Sequence, residues 1–122
     1  MSGLGWLRRR GPCHIETRSL GDWKVLEVRG RFVAGNPEQH FREAVEGVLK
    51  SGALKVVVDL RDSLLADDSV AGAAQEAYHK AKVAGVDMRF VVAPGSAGGY
   101  YHMAGLEMMI PTYARLTGAI EI

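Results

Sequence analysis

Apolar residues change their spacing along this chain, and each change marks an element. Val25, Leu26 and Val28 give residues 23–32 the β-branched and apolar content of a strand. A partner strand is expected over residues 14–19, with Leu20, Gly21 and Asp22 as the turn between them. The period then becomes helical: Phe41, Val45, Val48 and Leu49 make one apolar face. Asn36 reads as that helix's N-cap, Pro37 as its first residue and Gln39 as the reciprocal partner of a capping box, and Ser51-Gly52 ends it. Residues 54–60, centred on Val56-Val57-Val58, form a continuous apolar run that suits a central strand covered on both faces.

A second helix is expected from Ser69 to about Ala84-Gly85. Its face of Val70, Ala74, Ala77, Tyr78 and Ala81 is mostly small, so it can lie close against a sheet. Residues 88–92 read as the next buried strand, after which Pro94-Gly95 turns the chain outward. A helix over residues 97–105, a short edge strand from Met109-Ile110 to Thr112-Tyr113 and a final helical turn or two over residues 116–120 complete the pattern. Strands alternating with helices predict right-handed crossovers. The fold class is α/β: a small, mostly parallel sheet with an N-terminal hairpin and flanking helices.

Length and charge narrow the function. At 122 residues the chain makes one domain, here residues 13–122, behind a Gly- and Arg-rich tail over residues 1–12. A net charge of +1 offers no basic face for direct contact with nucleic acid. Cys13 is the single cysteine, so no internal disulfide forms and nothing points to an oxidising compartment. Leu4, Trp6 and Leu7 are too few for a signal segment, and Arg8-Arg9-Arg10 lie on the wrong side of them. No run approaches the roughly 18 apolar residues of a membrane span, and a cytoplasmic location is expected.

Candidate chemistry is sparse. His14, His40, His79 and His102 fall on four different elements, none at the helical spacing of a metal pair. Adjacent Cys13 and His14 are poorly placed as nucleophile and base, and Glu43 and Glu46 read as a charged helix surface. Gly95-Ser96-Ala97-Gly98-Gly99 lacks the lysine and hydroxyl of a phosphate-binding loop. Asp59, Asp62, Asp67 and Asp68 crowd into one segment, where a Mg²⁺ pocket would draw carboxylates from two strand ends. Asp59 and Asp62 are expected to set up a turn, and Asp67 and Asp68 to complement a helix dipole. No catalytic residue, metal or cofactor is expected, and the chain does not read as an enzyme. Ser69, at the start of the second helix, is either a plain cap or a phosphate acceptor.

Five segments, in order and spacing, resemble the STAS family of sulfate-transporter and anti-sigma-factor-antagonist domains over about residues 14–122. Gly30-Arg31-Phe32 is similar to the family's glycine-led exit from the second strand, and Val56-Val57-Val58-Asp59-Leu60 to its central strand. Ala66-Asp67-Asp68-Ser69-Val70-Ala71-Gly72 falls on its switch motif, usually Asp-Ser-Ser-Gly-hydrophobic-Gly or a threonine variant. Gly85-Val86-Asp87-Met88 and Ala104-Gly105-Leu106, followed by Met109-Ile110-Pro111, complete the likeness. Asp68 stands at the motif's first hydroxyl and Val70 at its glycine.

The resemblance implies a partner-switching module of the anti-sigma-factor-antagonist type. Its partner would be a serine/threonine kinase of the histidine-kinase-like ATPase fold that also serves as anti-sigma factor. Ser69 would be the phospho-acceptor, on a partner surface of Asp67, Asp68, Ser69, Val70 and Gly72. A docking subunit of a lipid-transport ABC complex, a signalling scaffold and a nucleotide or small-ligand binder are the alternatives, and self-association is left open.

Overall fold

A computed structural model describes residues 12–65, 68–92 and 110–120, with residues 64, 65 and 68–70 described by their backbone alone. Strand β1 (His14–Leu20) turns through Gly21 and Asp22 into β2 (Trp23–Phe32), and the two pair antiparallel from Leu20↔Trp23 to His14↔Arg29. Helix α1 (Asn36–Lys50) leads to β3 (Lys55–Leu65), and α2 (Asp68–Val83) leads to β4 (Asp87–Val91). The short β5 (Thr112–Tyr113) precedes α3 (Leu116–Ile120). The strands lie side by side in chain order, β1-β2-β3-β4-β5, and every pair after the first is parallel.

That order explains the layers. Two crossovers that advance in the same direction with the same hand drop their helices on one side of the sheet. Phe41, Val45 and Val48 of α1 and Ala73, Ala74, Ala77 and Ala81 of α2 accordingly share one cluster with Leu26, Val28, Val56, Val58, Met88 and Phe90. Phe32 and Phe41 meet in it with ring centroids 5.0 Å apart. The opposite face holds a smaller cluster of Trp23, Val25, Val57, Val91 and Ala119, covered by α3. Val56, Val57 and Val58 are fully buried, so β3 is covered on both faces as its apolar run implies.

Arg89 fastens α3 to the sheet. Its guanidinium donates to both carboxylate oxygens of Asp87 (3.2 and 2.9 Å) and to the Ala119 carbonyl (2.6 Å), and it stacks 4.7 Å from the Trp23 ring.

Four local expectations are corrected. Asn36 is not the N-cap of α1. Gly35 holds that position at φ 96° and ψ −135°, a conformation reserved for glycine, so Asn36 has already entered the helix. The capping box does not form either: the Gln39 amide turns forward and donates to Glu43 Oε1 at 3.3 Å. Leu54 lies outside β3 and is 70% exposed. Finally, β3 does not stop at Leu60 but runs on to Leu65, so Asp59 and Asp62 lie within a strand and make no turn. Against β2, Glu27 faces Asp59 while Arg29 faces Asp62, leaving Leu60 and Arg61 opposite Val28 alone. This bulge absorbs the extra residue and ends the simple apolar period.

Candidate partner-binding surface

The candidate surface is built from the far end of β3 and the start of α2. Asp59 is 3% exposed, and a buried carboxylate is costly unless paired. Its pairing is local. Arg61, two residues on and on the same side of the strand, donates to Asp59 from Nε at 3.0 Å and Nη2 at 2.8 Å, and its backbone N–H adds a third bond at 3.1 Å. The hydrogen bond to Asp59 holds the Arg61 guanidinium above its ordinary pKa, against a smaller opposing effect of burial. Ser63 is buried and donates its hydroxyl to the Leu60 carbonyl at 2.8 Å. These bonds let a polar stretch continue as strand to Leu65, and α2 opens three positions later at Asp68.

Helix α2 is fixed by its small apolar face and by ions. Arg42 of α1 pairs with Glu76 of α2 and lies 3.6 Å from Glu38, and Glu76 also takes Lys80 at 3.3 Å. The helix dipole points its positive end toward Asp68, Ser69 and Val70, whose backbone makes the first turn. Ser69 is therefore the second residue of α2 and not the residue before it. Asp67 lies outside the described residues, as do the side chains of Asp68, Ser69 and Val70. Gly72 is exposed one turn further on, with open space where a Cβ would stand.

The remaining candidates separate clearly. Two of the scattered histidines come together: His14 and His40 line one open cleft with Cys13 and Glu43. Burial raises the Cys13 thiol above its ordinary pKa, which favours the unreactive protonated form. Among the described residues no three His, Cys, Asp or Glu side chains converge as a metal site. His79 lies on α2, beside a shallow cleft with Gln75, Tyr78 and Lys82. His102, the Gly95–Gly99 loop, the turn at Pro94 and the helix expected over residues 97–105 fall outside the described residues. Arg61, Arg42, Glu76 and Arg89 were not singled out by the sequence. Asp59-x-Arg61 and Asp87-x-Arg89 did carry a usable signal, because an i, i+2 spacing on a strand sets both groups on one face.

The family model described as STAS domain matches residues 14–119. The chain belongs to the STAS domain family. Among solved structures, this STAS domain is similar to an anti-sigma factor antagonist from Mycobacterium paratuberculosis, with a TM-score of 0.73 at 16% identity, over 91% of this chain and 95% of that one. It is also similar to part of the structure of Mglu, with a TM-score of 0.55 at 21% identity, over 62% of this chain and 18% of that one. At these identities the likeness is one of fold. No curated protein matches the sequence significantly. Among the described strands of the STAS domain the order runs in chain sequence without reversal.

Proposed function

We propose that this STAS domain is a non-enzymatic, cytoplasmic partner-switching regulator of the anti-sigma-factor-antagonist type. Its partner is a serine/threonine kinase of the histidine-kinase-like ATPase fold that doubles as an anti-sigma factor. Ser69 is the phospho-acceptor, on the surface of Asp67, Asp68, Ser69, Val70 and Gly72. The observation that carries the reading is the position of the switch motif. Its serine falls in the first turn of a 16-residue helix that follows the central strand, within a chain matched by the family almost throughout. The similarity to an anti-sigma factor antagonist from Mycobacterium paratuberculosis supports the same class. In line with it, none of the described helices is long and apolar enough to cross a membrane.

The chemistry follows from the helix. Phosphate on Ser69 adds up to about two negative charges. The N–H groups and dipole of α2 favour that charge, while a partner docked over the same turn is repelled. Asp68 supplies a permanent carboxylate beside Ser69 and biases the surface toward the charged, released state.

The test is capture from host lysate on wild-type, Ser69→Glu and Asp68→Ser baits, with bound proteins identified by mass spectrometry. A kinase-fold protein held by wild type, lost by Ser69→Glu and held more tightly by Asp68→Ser is the expected result. Identical partners on all three baits would reduce Ser69 to a helix residue and make the domain a constitutive docking subunit.

A further inference from the structure

The strand β1 is an outer strand of the sheet, and among the described strands it pairs with β2 alone. Alternate residues of such a strand turn N–H and C=O outward, a ready template for another strand. Proteins blunt such edges with shortness, a proline or a bulge. The opposite edge, β5, is two residues long. By contrast β1 has seven residues without a proline, and its register with β2 runs unbroken, the sheet's bulge lying between β2 and β3. Among the described residues, charge guards this edge. Glu16 contacts Arg29 at 2.9 Å and Arg18 contacts Glu27 at 3.9 Å, yet the Glu16 and Arg18 side chains remain 65% and 49% exposed.

We infer that β1 is a self-association strand, on which a second copy of this chain pairs antiparallel about a twofold axis at Thr17. Such an axis stands perpendicular to the sheet, so each residue meets one that shares its face, an even-numbered with an even-numbered and an odd with an odd. Three registers are then centred in the middle of the strand. Centring on Glu16 sets Glu16 against Glu16 of the second copy, and centring on Arg18 sets arginine against arginine. Like charges directly opposite are unfavourable.

Centring on Thr17 sets Glu16 against Arg18 of the second copy and Arg18 against its Glu16. It pairs Thr17 with Thr17, and both kinds of cross-strand pair are favourable. Thr17 is also the midpoint of β1, so this register alone pairs all seven residues, His14 with Leu20 at each end. The order Glu-Thr-Arg is complementary to its own reverse. A carboxylate accepts from more than one guanidinium, so the contacts to Arg29 and Glu27 persist. One strand pair is a small interface, and the dimer is reversible and concentration-dependent. It leaves the first turn of α2 uninvolved and is independent of the role of Ser69.

Sedimentation velocity over a concentration series tests this on the full chain, using wild type, Glu16→Arg, Arg18→Glu, the double charge swap and an equimolar mixture of the two single variants. Wild type is expected to dimerise, and each single variant to associate about tenfold or more weakly, since two symmetric pairs turn repulsive together. The double swap should restore self-association, and the mixture should form a heterodimer. Both side chains are about half-exposed or more (65% and 49%), and circular dichroism checks that the variants fold. Monomeric wild type throughout the series would overturn the inference, the edge then being left bare or covered by residues 1–11. Single variants that dimerise like wild type would place any dimer on another face. A mixture that stays monomeric would overturn the register.

Discussion

Arg89 and Arg61 use one device twice: a strand arginine gripping, through both arms of its fork, an aspartate two residues earlier. The two differ in reach. Arg61 serves its own strand, whereas Arg89 also holds the Ala119 carbonyl and the Trp23 ring, and so holds α3. Arg89→Ala is expected to cost about 2–3 kcal/mol, because hydrogen bonds made by a buried charged group are lost and the Ala119 carbonyl is left unmet. Urea unfolding measures the loss, and Trp23 emission should shift red as α3 loosens. Gly72 predicts the opposite sign. It lies within a helix, is exposed and has room for a Cβ, so Gly72→Ala should raise stability by about 1 kcal/mol in the same assay. If partners dock there, their affinity should fall as stability rises. Cys13 adds a pH dependence. Burial raises its thiol above the ordinary 9.0, so its stabilising contribution is full below that value and is lost as pH climbs through the folded-state value. Alkylation of Cys13 should accordingly reach half its limiting rate at a higher pH than a free cysteine does. These residues were largely illegible in the sequence. A carboxylate at the end of a valine run reads as a turn until its partner two positions away is seen, and Arg61 lay beyond the expected end of the strand.

Elements with an unbroken period were legible nearly to the residue. β2 spans residues 23–32 as its apolar content implies, and Phe41, Val45 and Val48 all bury the predicted face of α1. The small face of α2 was equally readable: Ala74, Ala77 and Ala81 are at most 3% exposed. That face sets how closely α2 approaches the sheet. Ala77→Leu is therefore expected to destabilise by about 1–3 kcal/mol through overpacking, which thermal unfolding would detect. A leucine accepted there without loss would mean that the helix is loosely seated. Legibility failed where geometry overruled type. The bulge opposite Val28 carries β3 past the point where its period stops, and the left-handed backbone at Gly35 takes the cap from Asn36. Neither event leaves a mark in hydrophobic spacing. At the surface of interest the sequence placed a helix start within one residue of Asp68, and of the two roles it offered Ser69, the cap does not fit a residue that lies inside the helix.

For the molecule as a whole, the alternation of elements was enough to give a single α/β layer pair with an antiparallel start, because handed crossovers leave few other arrangements. It was not enough to show that α1 and α2 share one face and that, among the described residues, α3 packs on the other. The strand order has a consequence for how the protein is made. Because the described strands are stacked in the order in which they are written, each one leaves the ribosome beside a neighbour already present, and none waits for a later strand to fill a gap. After the hairpin, paired residues lie 22 to 33 positions apart, the length of one crossover, and no described pair joins the two ends of the chain. The sheet can thus be laid down strand by strand during synthesis, with α3 arriving last to be drawn in by the waiting Arg89. A nascent chain released before α3 would hold the larger cluster and lack the covering of Trp23, Val25, Val57 and Val91.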